Sequence, residues 1–297
     1  MEAIKKIHHI TAIVGDPNEN LKFYRDVLGL RLIKQTVNFE DPSVYHLYFG
    51  DHNVTPGTVI TFFPWTNQNQ GRKGSGQVGR IAFRIPKGSM DYWKEHLTAQ
   101  RIPIEMTLLF GQETLEFVDV HGLELALVEG EITADHYDIV DFHGAVLLSE
   151  NPEGTKDLLT GLMGLTELNI DDQNQHFETV GKEKHHIITA TPPQPAGRFG
   201  IGTVHHIAWS LPHKEALKEW QSALADEQFK VTEVKDRNYF TSIYIKEKGR
   251  VIFEFATDGP GFDVDEDMKS LGSMLKLPEQ YEQNRQEYES LLPKLEV

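Results

Sequence analysis

The sequence predicts an α+β fold of four βαβββ modules paired into two half-barrel sheets. Three observations carry that reading. The order apolar strand, amphipathic helix, then two or three strands recurs four times along 297 residues. A His-His doublet stands twice in the same strand frame, in KIHHITAI (6–13) and TVHHIAWS (203–210). Polar stretches containing Gly or Pro separate the recurrences at 66–77, 129–138 and 192–202.

The first module (5–65) opens with the strand IHHITAIV. A helix over 18–28 follows, with Leu21, Tyr24 and Leu28 on one face and Gly29 as its stop, and then the strands YHLYFGD and TVITFFP. The second (78–130) begins with VGRIAFRIP. Its helix, capped by Ser89, turns Met90, Trp93 and Leu97 inward, and TLEFVDV and LELALVEG complete it. The third (141–191) runs from DFHGAVLL through a helix bearing Leu158, Leu159, Leu162 and Met163, stopped by Gly164, to HFETV and HHIITAT. The fourth (203–258) has VHHIAWSLP, a helix with Leu217, Trp220 and Leu224, then FTSIYIK and RVIFEFATD. The chain thus divides into an N-terminal pair of modules (1–135), a C-terminal pair (136–260) and a tail (261–297) whose helical pattern spans 277–295. The 66–77 stretch suits a loop over a site as well as a linker.

Composition narrows the function. At 39% hydrophobic residues the chain can bury a sizeable core. It has no cysteine, which excludes disulfides, thiolate metal sites and a thiol nucleophile, and suits a reducing cytoplasm. A net charge of −16 argues against nucleic acid and anionic membranes as partners. No apolar run is long enough to span a bilayer, and the start lacks a signal core. The expected partner is a small molecule and the expected location cytoplasmic, with homo-oligomer formation left open.

Superposing the modules in sequence locates the chemistry. The first and fourth carry full doublets, His8-His9 and His205-His206, where the second has Gly79-Arg80 and the third Phe142-His143. Strand alternation would send one imidazole of each doublet to a cavity and its neighbour to the opposite face. In the last strand the fourth module has Glu254, flanked by Ile252, Phe253 and Phe255, where the second has Leu127 and the first Phe62. A carboxylate buried on such a strand is costly unless paired or bound to a cation. Two histidines and one carboxylate, with coordination positions left open, form the ligand set of non-haem Fe(II) oxygenases. The competing reading makes the histidines structural and Glu254 an ordinary ion-pair partner. A third doublet, His185-His186, has no counterpart and is assigned to structure or solvent.

Several stretches together resemble the vicinal-oxygen-chelate (glyoxalase/extradiol dioxygenase) superfamily. They are the HHIT opening, YHLYF-x-D-x3-TPGTV-x-TFFP, GRKGSGQ, HHIA, DRNYFTSIY and FEF-x3-GPGF. The likeness covers residues 5–275 and is greatest to the ring-cleaving dioxygenases that open hydroquinones. The resemblance implies an Fe(II) site, with Mn(II) admitted, held by His9, His206 and Glu254. It implies further that His8, His205, Thr11, Arg237 and Tyr244 border the pocket of a small aromatic diol that reacts with O2. Catechol-cleaving relatives would nominate His143 in place of His9. Preferring His9 pairs the first module with the fourth and the second with the third. The expected activity is extradiol-type ring cleavage of a hydroquinone or catechol. The alternatives are a glyoxalase-type isomerase or transferase, which would want a second Glu where Phe62 stands, and a non-catalytic aromatic-binding protein.

Overall fold

The computed structural model describes residues 1–55, 57–170 and 173–297, with the side chain of Ile170 left aside. Pro56 of the TPGTV motif and residues 171 and 172 of the third module lie outside the described residues. Among the described residues, sixteen strands form two eight-stranded sheets. The first module contributes β1 (Ile7–Val14), β2 (Arg31–Val37), β3 (Tyr45–Gly50) and β4 (Val59–Pro64). The second contributes β5 (Gln77–Ile85), β6 (Glu105–Leu109), β7 (Gln112–Val118) and β8 (Glu124–Glu129). From the third come β9 (Asp141–Leu148), β10 (Thr166–Ile170), β11 (Asn174–Glu178) and β12 (His186–Ala190). The fourth gives β13 (Thr203–Leu211), β14 (Lys235–Asp236), β15 (Phe240–Lys246) and β16 (Ile252–Pro260).

The strand orders are β14-β15-β16-β13-β1-β4-β3-β2 and β10-β11-β12-β9-β5-β8-β7-β6. Module one therefore joins module four, and module two joins module three, through antiparallel β1–β13 and β5–β9 contacts. Each sheet takes one module from either half of the chain, so the sequence halves 1–135 and 136–260 do not coincide with the sheets. The 66–77 and 192–202 stretches run alongside each other through bridges Gln70–Ile201, Arg72–Arg198 and Ser75–Ala196, which makes the first a strapped linker.

One apolar cluster joins both sheets to the helices, with Ile10, Trp209 and Phe253 from one sheet and Ile81, Phe83 and Leu125 from the other. Each fully buried side chain of this size contributes roughly 1.5–3 kcal/mol. Smaller clusters lie elsewhere in each half-barrel, around Tyr48, Ala208 and Phe240 in the first and around Phe110 and Ile188 in the second.

Three local expectations need correction. The first helix is α1 (Pro17–Lys22), capped by Asp16, and passes into a π-helical turn, Phe23–Val27, before Gly29. Ser89 makes no side-chain cap for α2 (Met90–Ala99). The Met90 amide donates instead to Glu129 Oε1 (2.7 Å), a carboxylate brought by β8. The tail forms two short helices, Glu279–Glu282 and Arg285–Leu291. They are tied to the first module where Tyr281 Oη donates to the Phe39 carbonyl (2.7 Å) and Tyr45 Oη to the Pro293 carbonyl (3.0 Å).

Candidate metal centre

Register brings the site together on β1, β13, β16 and β15. His9 lies opposite Ala208, Ala208 opposite Glu254, and Glu254 opposite Tyr244. His206 precedes Ala208 by two and shares its face. The methyl of Ala208 thus occupies the middle of the ladder, and His9, His206 and Glu254 reach over it toward one point. Their donor atoms all lie within 4.8 Å of one another.

The alternation expected within the doublets fails, and the reason is visible in the ladder. The β1–β13 register shifts once between Ile7 and His9 and once between Thr11 and Ala12, leaving His8 and His205 as the extra residues of two β-bulges. Each bulged histidine turns toward its neighbour: Nδ1 of His8 is 2.8 Å from Nδ1 of His9, and Nδ1 of His205 is 2.8 Å from Nδ1 of His206. Burial, then the adjacent His9 ring, pushes His8 down to about 3, so it is neutral. Its Nε2–H donates to the Thr257 carbonyl (3.1 Å), so its Nδ1 can only accept. His9 therefore donates from Nδ1 to His8 and turns its Nε2 to the site.

That Nε2 faces Glu254 Oε2 at 3.1 Å and His206 Nε2 at 3.4 Å, while His206 Nε2 stands 2.8 Å from the same oxygen. Oε2 is fully buried and has no well-directed hydrogen bond. Two imidazole nitrogens and a carboxylate oxygen crowded about one buried point make a donor set that suits a cation. Ligands about 2.1 Å from one ion at right angles are about 3.0 Å apart, close to the separations seen here. The residues fit a divalent first-row ion. Burial by itself would raise the Glu254 carboxyl, but the His9 and His206 rings outweigh it and hold it well below the ordinary range. Tyr244 Oη donates to Glu254 Oε1 (2.7 Å), fixing the other oxygen.

Above this cluster opens a cavity of about 330 Å³. Phe39, Tyr48, Phe63, Trp65, Phe240 and Tyr244 give it aromatic walls. Of the residues singled out from sequence, His9, His206, His205, Arg237 and Tyr244 line it. His8 instead borders a separate small cavity of about 120 Å³ with Val59 and Phe262. Thr11 lies behind the wall, bonded to Thr61 (2.7 Å between hydroxyls), which in turn meets His46 Nε2 (2.8 Å). His46 and Tyr48 from β3, Lys235 from β14 and Glu40 from the loop before β3 also line the cavity, and the sequence did not single them out as site residues because they come from strands and a loop remote from the doublets.

The position matching Glu254 in the first module is Thr61, and Phe62 points the other way, into the core against Tyr24. Parallel pairing sets Thr11 against Thr61 as it sets Ala208 against Glu254. His143 sits in the second half-barrel, stacked on His186 (ring centroids 4.7 Å apart), with neither ring nitrogen bonded. His185 is structural, accepting from the Ile7 amide (2.9 Å) and meeting Asp141 (3.1 Å).

The chain is 46% identical over 302 residues (98% of the chain, 96% of the relative) to "Putative ring-cleaving dioxygenase MhqO" of Bacillus subtilis. It is 29% identical over 304 residues (95% and 94%) to the chlorohydroquinone/hydroquinone 1,2-dioxygenase of Sphingobium indicum. The crystal structure of a "putative dioxygenase" from Bacillus subtilis superposes with a TM-score of 0.96 at 45% identity, covering 100% and 99% of the two chains. The family model described as Glyoxalase/Bleomycin resistance protein/Dioxygenase superfamily matches residues 6–111 and 135–258, and the chain belongs to that superfamily.

Proposed function

We propose that the protein is an Fe(II)-dependent, extradiol-type ring-cleaving dioxygenase acting on a hydroquinone or catechol, with His9, His206 and Glu254 as the metal ligands. The observation that carries this reading is the convergence of two imidazole nitrogens and one buried carboxylate oxygen at the floor of an aromatic-walled cavity. When bound, the metal supplies a centre at which an ionised phenol and dioxygen can be held side by side.

The chain's own groups do the rest. The aromatic walls take an aromatic ring by stacking and exclude water from it. His205 has its Nδ1 tied to His206, so Nε2 is the atom left to exchange a proton with a substrate hydroxyl. Arg237 lies in the wall beside Tyr244 Oη (3.4 Å), where its fixed positive charge offsets anionic character on the substrate oxygen. Burial would lower Arg237, but Tyr244 and Glu40 outweigh it and keep the guanidinium charged. A glyoxalase-type site with a second carboxylate ligand finds Thr61 in the required place.

The direct test is oxygen uptake by anaerobically Fe(II)-loaded protein offered a panel of hydroquinones and catechols. Stoichiometric uptake with an open-chain product supports the proposal. Isomerase turnover without oxygen uptake refutes it.

A further inference from the structure

Arg237, the only guanidinium in the cavity lining among the described residues, is already engaged at both terminal nitrogens. Its Nη2 and Nη1 donate to Glu40 Oε1 (3.1 Å) and Oε2 (3.4 Å), a two-point carboxylate grip. Its planar face lies over the rings of Phe39 (5.2 Å to the centroid) and Tyr244 (5.6 Å). Lys235, the other cation of the lining, also donates to Glu40 Oε1 (2.9 Å). Glu40 thus bridges both positive charges at the cavity mouth.

An exposed ion pair on a floppy loop would mean little. Here the Glu40 side chain is 56% exposed, but the Arg237 side chain it grips is only 14% exposed and its own loop is held. Asn38 Oδ1 accepts from the backbone amides of Glu40 (2.8 Å) and Asp41 (3.3 Å), closing an Asx turn that fixes where Glu40 leaves the chain. The Phe39 carbonyl is held from outside by Tyr281 of the tail. Asp41, the second acid of the lining, is turned back on its own loop and takes the Ser43 hydroxyl (2.6 Å). Burial would raise the Glu40 carboxyl, but Lys235 and Arg237 hold it below its ordinary range.

We propose that Glu40 is a charge-selectivity residue: by gripping Arg237 and Lys235 and setting its own negative charge at the cavity mouth, it makes the site take dihydroxybenzenes with uncharged ring substituents and refuse carboxylated ones. This rests on the reading of the site as one for aromatic diols. A carboxylated ring entering the cavity would have to displace Glu40 from Arg237 or lie beside its negative charge, whereas an uncharged substituent meets ring faces without that conflict.

The test uses two inert phenols of one shape, 4-hydroxybenzamide and 4-hydroxybenzoate, titrated anaerobically into metal-loaded protein and followed by the fluorescence of Trp65 in the cavity wall. The wild type should prefer the amide. Glu40→Gln should improve binding of 4-hydroxybenzoate about tenfold while moving the amide less than about threefold. Glu40→Asp, which restores the charge, should keep the wild-type preference, and Asp41→Asn, which removes an equal charge not engaged with Arg237, should shift it far less. A Glu40→Gln variant that weakens both phenols alike, or an Asp41→Asn variant with the same gain, overturns the assignment. Oxygen uptake on the same preparations separates the two readings. Equal turnover of hydroquinone and 2,5-dihydroxybenzoate by the wild type sinks the role of Glu40 and leaves the dioxygenase standing. A preserved phenol preference with no oxygen uptake from any diol does the reverse.

Discussion

His143 offers a quantitative test, because it is the residue that a catechol-type ligand set would use and the structure instead buries it in the other half-barrel. It is 2% exposed and neither ring nitrogen has a hydrogen-bond partner. Burial, then the neighbouring His186 and Arg84, pushes its imidazole down to about 2. An unfolded histidine titrates near 6.5. Below that pH the unfolded chain binds a proton that the folded chain refuses, so stability falls as pH drops from about 6.5 toward the folded value. At pH 5 the gap is about 1.5 pH units, and at about 1.4 kcal/mol per unit the loss from this one residue is about 2 kcal/mol. Any folded value below about 4 gives nearly the same figure. His143→Leu removes the titrating group and two unpaired nitrogens while keeping an apolar side chain against Phe110, so near pH 8 its stability should equal or exceed the parent's. Urea unfolding followed by circular dichroism at pH 5, 6, 7 and 8 should show the advantage of the variant growing by about 2 kcal/mol toward pH 5. Parallel loss of stability in the two proteins would refute the burial argument. Loss of bound metal in the variant would refute the assignment of His9 as ligand.

Three further outcomes concern the centre itself. Glu254→Gln keeps the shape and removes the charge. Metal content by elemental analysis should fall with it, and full occupancy would exclude the His9-His206-Glu254 set. Ala208→Leu leaves all three ligands in place but fills the space over which they meet; it should lower metal content and destabilise by about 1–3 kcal/mol through crowding against Tyr48 and Phe240. A fully loaded Ala208→Leu protein would show that the ligands do not converge there. His205→Ala and Arg237→Ala should keep the metal and slow ring cleavage by about 10²–10⁴-fold, and a parental rate in either variant removes that residue from the mechanism.

Much of this architecture was legible before folding. The fourfold strand-helix-strand pattern is a local property, set by side-chain periodicity and by stop signals such as Gly29 and Gly164, and it appears at the expected places. The repeated doublets and one acid on an apolar strand pointed to two histidine pairs and Glu254, because burying a charge among Ile252, Phe253 and Phe255 leaves few physical excuses, and the family resemblance chose the second histidine of each pair. Other features depend on which strands become neighbours, and no local pattern encodes that. The bulges that turn His8 and His205 toward their partners exist only once β1 and β13 pair with a one-residue mismatch. That Thr61 rather than Phe62 matches Glu254 follows from the parallel register of β4. Glu40 comes within reach of Arg237 across nearly two hundred residues because the sheet closes module four onto module one and the tail braces the loop that carries it. Sequence determined the chemistry that was available, since composition and pattern are written residue by residue. Tertiary structure decided which atoms face one another, since distance and direction arise only from long-range pairing.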